Sequence, residues 1–315
     1  MASKQMVHMN QGQGETSYAR NSSIQTAEQK RMKPLIEAAI AELCSSTSTL
    51  VPGKMVIADM GCSTGPNALT LVSIAIKAVQ DHCFQFALAL KGLSVILLDR
   101  SIHYIILVDS LSKKLSMQAP EDLFRNLIPA YDMDKDARRQ RHRLVLEAYA
   151  KQFRKDFTNF LKLRAKELVS KGRMVVSLVV RRSDVTATKF SYLSRTISQI
   201  LSVMVSEGVI DKEKFDSFYV PVYEPSSKEV RETIEEEGSF SIKEMQVHDP
   251  TTDMNNALST PSKFVNLLRA LCEPILVQHF GDVMYEFVSA AERHWSLEGN
   301  LLGPYAMLAI SLAKA

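Results

Sequence analysis

Hydrophobic and polar positions alternate along the chain between two periods. Met55–Met60, Leu93–Leu98, Ile102–Val108 and Met174–Val180 are almost continuously apolar and read as buried strands. Phe240–His248 alternates like a strand, and Tyr305–Leu312 reads as a final one. Helical spacing fills the intervals. Thr26–Leu43 is amphipathic, and Asn67–His82 carries Ala68, Leu71, Val72, Ile76 and Val79 on one face. Ala137–Val169 is a long helix whose apolar face includes Leu144, Ala148, Phe153, Phe157, Phe160 and Leu161, and Gly172 follows its end as a C-terminal glycine. Thr188–Glu207 and Asp282–His294 are helical as well. Ser226 and Glu229 have the spacing of a capping box for a helix ending at Glu237. Thr260–Pro261 opens another helix toward Phe280, with a kink expected at Pro274. Residues 109–136 are mixed, predicting a loop with short helices.

Strands that alternate with helices, and are apolar throughout, predict an α/β protein built on a parallel sheet covered on both faces. The stretch from Ala187 to Arg293 has more helix per strand and suits a cap over that sheet. The expected organisation is an arm at 1–26, an α/β domain at 27–186, a mainly helical cap with strand insertions at 187–293, and a last strand at 294–315.

Composition narrows the function. The chain has 315 residues, 46% hydrophobic and 23% charged, which is ordinary for a globular core of one or two domains. Its formal charge of +3 argues against nucleic acid or an anionic membrane as a partner. Cys44, Cys62, Cys83 and Cys272 form no C-x-x-C pair, so reduced, mostly buried thiols in a cytoplasmic protein are expected rather than a zinc or redox motif. Residues 1–20 lack an apolar h-region, and no apolar run reaches the ~18 residues of a membrane span. The seven histidines make no H-E-x-x-H or H-x-H pattern, so no metal is expected.

The chemistry concentrates at Val56–Asn67. An apolar strand ends in Asp59, a turn with Gly61 and Gly65 follows, and a helix opens. Such a turn aims backbone N–H groups and one carboxylate at a ligand beyond the strand end. It lacks the G-x-G-x-x-G spacing and any basic side chain for phosphate, so a phosphate-free cofactor fits better. A purely structural turn capped by Ser63 or Thr64 is the alternative. Asp99 ends the next strand and could accept hydrogen bonds from a ribose diol; alone it would read as a solvated acid. The segment Met9–Gln25 is dense in side-chain amides and hydroxyls, either a loose tail or a lid over a polar ligand.

These segments resemble the plant SABATH carboxyl methyltransferases. Met9–Gln25 is similar to the family's M-N-x-G-x-G-x-x-S-Y-x-x-N-S-x-x-Q signature, and Asp59–Asn67 to its D-x-G-C-S-x-G-P-N motif. Phe157–Arg181, Ser217–Pro221, Glu273–Leu276 and His279–Gly281 add support. The resemblance implies a Rossmann-like class I methyltransferase sheet with helices on both faces and a helical cap. The implied cofactor is S-adenosylmethionine, with S-adenosylhomocysteine as product. Implied roles put Tyr18, Ser22 and Gln25 over the active site, Ser22 on the cofactor and Gln25 on the substrate carboxylate. Asp59 and the turn of Gly61, Cys62 and Asn67 would face the methionine moiety, and Asp99 the ribose. The implied partner is a small acid such as salicylate or benzoate, with a homodimer as an open option.

The chain also departs from that family. Leu98-Asp99-Arg100 runs almost directly into Ser101–Ile105, so a segment whose serine and aromatic contact adenine is missing. Lys113 and Lys114 stand about where the family has His-Trp, and Phe190–Ser194 lacks a tryptophan found nearby in many relatives. Three readings follow: methyl transfer to a small carboxylic acid; a catalytically impaired or inactive relative that keeps the fold; and, least supported, a nucleotide-binding oxidoreductase.

Overall fold

A computed structural model describes residues 14–15, 21, 23–45, 54–59, 70–86, 92–97, 104–109, 120–182, 192–250, 252–253, 258–298 and 305–315. Its strands are β1 (Lys54–Asp59), β2 (Gly92–Leu97), β3 (Tyr104–Asp109), β4 (Arg173–Arg181), β5 (Phe240–His248) and β6 (Tyr305–Lys314). Its longer helices are α1 (Ser23–Ser45), α2 (Thr70–Phe86), α4 (Lys135–Glu167), α5 (Tyr192–Ser206), α7 (Ser227–Glu237), α8 (Pro261–Phe280) and α9 (Met284–Glu298). Two short ones, α3 (Glu121–Arg125) and α6 (Lys212–Asp216), complete the set.

All six expected strands join one sheet in the order β2-β1-β3-β4-β6-β5. β2, β1, β3 and β4 are mutually parallel, but β6 lies antiparallel between β4 and β5. The expected parallel sheet is present in the first four of these strands, with the antiparallel β6 added beside β4. A continuous apolar run reports burial on both faces and not strand direction. β6 is buried from Ala306 to Ala313 because it is flanked on both edges and covered on both faces.

Side chains of one strand alternate between two cores. Ile57, Val175 and Ala309 pack under α1 and α2, against Met32, Leu35, Ile36, Leu71 and Val79. Ala58, Met174, Val176, Leu178 and Val180 pack under α4, against Tyr149, Phe153, Phe157 and Leu161. Phe153, Phe157 and Phe160 stack in a row along α4, with centroids 5.4 and 6.0 Å apart. A separate cluster joins α5, α6, α8 and α9 through Ile197, Leu201, Phe215, Phe264, Leu268 and Phe287. α8 continues through Pro274. No helix among the described residues is long and apolar enough to cross a membrane. Cys44 and Cys272 are buried and form no disulfide, and burial pushes the Cys272 thiol up to about 12.

The end of α4 corrects the expected glycine cap. Lys171, not Gly172, adopts the left-handed conformation, with φ of 64°. Gly172 is needed for space: a Cβ there would lie 2.9 Å from the Val169 carbonyl oxygen and 3.0 Å from the Leu168 side chain.

The helical cluster is tied to the sheet by two buried tyrosines. Tyr149 of α4 donates to the Val220 carbonyl at 2.9 Å. Tyr219 donates to the carbonyls of Ile128 at 3.0 Å and Leu123 at 3.3 Å. Phe218 packs at a tilt against His279 and Phe280, at 5.1 and 5.0 Å between centroids. Beside them, the predicted capping box of α7 is present, and it does more than cap. Arg181, the last residue of β4, donates to Tyr223 Oη and the Glu224 carbonyl, both at 2.9 Å, and pairs with Glu229. Burial works to raise the Glu229 pKa, but hydrogen bonds from Ser226 and Tyr223 and the Arg181 charge outweigh it and hold the carboxyl below its usual value.

Two measurements test these ties. Tyr219→Phe removes the donor to the Ile128 carbonyl, while the Leu123 carbonyl keeps the Ile128 N–H at 3.0 Å, so urea unfolding should show a loss of about 1 kcal/mol. Glu229→Gln should lose about 2 kcal/mol at pH 7 by the same measurement. Because the folded-state pKa is depressed, the wild-type advantage is full above the ordinary carboxyl value. It should shrink as the pH falls below about 4; an advantage that persists at pH 3 would contradict the ion pair.

Candidate active site

The parallel strands finish at one edge of the sheet, which is where an α/β protein binds its ligand. Asp59 ends β1 there, in register with Leu97 of β2 and Leu107 of β3. α1 reaches the same edge from the opposite direction. Near its end, Glu42 accepts from Arg173 at the start of β4, at 2.5 Å. Near its beginning, Glu28 meets Ser177 further along β4. α1 therefore runs antiparallel to β4, and its first turn, with Gln25, lies toward the edge where β1 stops.

The contact at Glu28 is unusual in composition. Positions 28, 32, 35, 36, 39, 40 and 43 form one stripe of α1, and all except Glu28 are apolar. Glu28 is fully buried, at 0% exposure. Ser177 Oγ donates to its Oε1 at 2.8 Å, and His248 Nε2, at the end of β5, contacts its Oε2. Arg31 Nη1 lies 3.9 Å from the same oxygen, and Arg31 also pairs with Asp253. Close by in sequence, Arg182 donates to Asp249 at 2.5 Å. The start of α1, β4 and the end of β5 thus meet around one carboxylate at the ligand edge of the sheet.

Of the residues expected to bind ligands, the structure brings Gln25 and Asp59 to this edge as backbone positions, one in α1 and one ending β1. Their side chains lie outside the described residues, as do Tyr18, Ser22, Gly61, Cys62, Asn67 and Asp99. Lys113, Lys114 and Phe190 are outside as well. The pattern of α1 held a signal for one residue that was missed: an acid on an otherwise apolar stripe marks Glu28. Nothing in local sequence pointed to Ser177 or His248 as its partners, since they are 149 and 220 positions away.

A family model described as SAM dependent carboxyl methyltransferase matches residues 4–103 and 96–315. The chain is similar to the probable jasmonic acid carboxyl methyltransferase 1 of Theobroma cacao, at 31% identity with 98% of each chain covered. It is 32% identical to the salicylate carboxymethyltransferase of Clarkia breweri, with 90% of each covered. It is also 28% identical to the inactive anthranilate O-methyltransferase 1 of Zea mays, covering 98% of this chain and 97% of that protein. Among solved structures, a loganic acid methyltransferase with SAH shares the fold, with a TM-score of 0.78 and 22% identity over 98% of both chains. The family match breaks at 96–103, around Asp99, and the alignment to the cacao protein runs over 375 residues against the 315 present here. Both agree with an internal segment missing after β2. Matched along nearly its whole length, the chain belongs to the SAM-dependent carboxyl methyltransferase family.

Proposed function

We propose that this protein transfers a methyl group from S-adenosylmethionine to the carboxylate of a small acid of the salicylate, benzoate, anthranilate or jasmonate type, giving the methyl ester. The observation that carries the reading is the family match through residues 4–103, which takes in both the arm and the glycine turn. When bound, the cofactor supplies an electrophilic methyl on a sulfonium, and S-adenosylhomocysteine is the product.

The donor set suits such a ligand: an acid at the end of β1, a glycine turn without phosphate-binding cations, and amides and hydroxyls in the arm. Asp59, Gly61, Cys62 and Asn67 would border the methionine moiety, and Asp99 the ribose hydroxyls. Ser22 would touch the cofactor, with Tyr18 closing the arm beside it. Gln25 would hold the substrate carboxylate in line with the methyl. No base is required, because an unperturbed carboxyl has a pKa near ~4 and is ionised at pH 7. The protein's contribution is alignment, for which roughly 7–11 kcal/mol is available, and removal of water from the carboxylate. This reading takes 1–26 as the arm, 27–186 as the cofactor domain, 187–293 as the substrate cap and 294–315 as the returning strand. It also takes a homodimer as the assembly and the cytoplasm as the compartment.

A second reading has one observation in its favour. The segment missing after β2 is the one whose residues contact adenine in the family, so a relative that keeps the fold with impaired or no turnover is the alternative. Calorimetry with S-adenosylhomocysteine and transfer of a radiolabelled methyl to a panel of acids separate the two. Binding with turnover supports the enzyme and removes the impaired relative, whereas absence of turnover supports the impaired relative and absence of binding removes the enzyme. In the active case Gln25→Ala should lower kcat/KM for the acid by roughly tenfold or more, while the S-adenosylhomocysteine affinity stays within about threefold.

A further inference from the structure

We propose that Glu28 is a positioning residue for methyl transfer: through Ser177 and His248 it fixes the first turn of α1, and with it Gln25, over the ligand edge of the sheet. The inference rests on the role given above to Gln25.

The face of α1 that meets the sheet is otherwise built from Met32, Leu35, Ile36, Ala39 and Ile40. Such a surface holds the helix against the sheet by burial, which has no direction. Sliding or rotating α1 by a fraction of a turn would change little apolar area. A buried carboxylate is different, since it must keep its hydrogen-bond partners or bear the full penalty of desolvation. Its oxygens are committed to two strands that β6 separates: Oε1 to Ser177 on β4 and Oε2 to His248 on β5. Two fixed contacts on different strands define both the height and the rotation of the helix. Arg31, one turn later, joins the same oxygen to Asp253 and so draws residues 252–253 into the arrangement.

Gln25 is three residues upstream, so its backbone lies about 4.5 Å along the axis from Glu28. A small rotation of α1 at Glu28 is passed directly to that position. Displacement of a positioning group by ~1 Å can change a rate by about a hundredfold. Removing Glu28 alone leaves its partners without an acceptor and costs stability as well as geometry, so activity per folded protein separates fixing a geometry from merely holding the fold.

The test compares Glu28→Met with Glu28→Gln in the full chain. Methionine fills the space without the contacts. Glutamine keeps an acceptor for Ser177 and offers a donor to His248. Expected for Glu28→Met is a lowered thermal midpoint, because Ser177 and His248 lose their acceptor, and, per folded protein, at least a tenfold loss of kcat/KM for the acid with a raised KM, with faster hydrogen exchange in residues 23–33. Glu28→Gln should recover most of the activity and the protection. Ser177→Ala, a smaller change, should move both readouts in the same direction as Glu28→Met. Wild-type kinetics and exchange in Glu28→Met would overturn the proposal, and so would activity that falls only in proportion to folded protein. If wild type itself shows no turnover, the functional reading fails on its own; exchange in 23–33 and the affinity for S-adenosylhomocysteine still decide whether Glu28 fixes the helix.

Discussion

The site depends on how α1 crosses the sheet. The helix is clamped at both ends to β4, by Glu42 on Arg173 and by Glu28 on Ser177, and between them it presents an apolar stripe to Ile57, Val175 and Ala309. Running antiparallel to β4, it delivers its N-terminal turn to the edge at which β1 ends in Asp59. Had α1 packed in the opposite sense, Gln25 would lie at the far edge of the sheet from Asp59.

A second constraint joins the helical cluster to the sheet. The stretches Ser217–Pro221 and His279–Gly281, which resemble the family, turn out to hold elements together. Tyr219 bonds the loop after α3, Val220 receives the hydroxyl of Tyr149, and Phe218 packs on His279 and Phe280. Tyr149 and Tyr219 are buried around their hydroxyls, and burial raises both phenol pKa values. Arg181 does similar work at the end of β4, where burial opposes its charge but Tyr223 and Glu229 more than compensate. These contacts are directional, so they fix the helical cluster at a set distance from the strand ends.

Much of the architecture was legible in the residue pattern. All six strands and the long helices follow from apolar spacing, and the capping box at Ser226–Glu229 announced α7 within a residue. The direction of Tyr305–Leu312 was not legible, because burial on two faces gives the same composition in either direction. Gly172 looked like a left-handed cap because glycine usually fills that position, whereas Lys171 takes it and Gly172 answers a steric demand from Val169 and Leu168. Of the candidate site, the motif residues were singled out by their spacing together with the resemblance to the family, and the side chains of all of them lie outside the described residues. Glu28 was visible only as an anomaly on an apolar stripe.

The sequence by itself determined the periodicities, hence which segments are strands and helices, and it carried the arm and turn signatures that mark the family. Those are properties of neighbours along the chain, set by backbone geometry over a few residues. Tertiary structure alone decided the direction of β6, the antiparallel passage of α1, and the meeting of Glu28, Ser177 and His248 across 220 positions. These depend on which surfaces come together when apolar faces are buried and on which buried polar atoms must find each other, and no short window of sequence contains both partners.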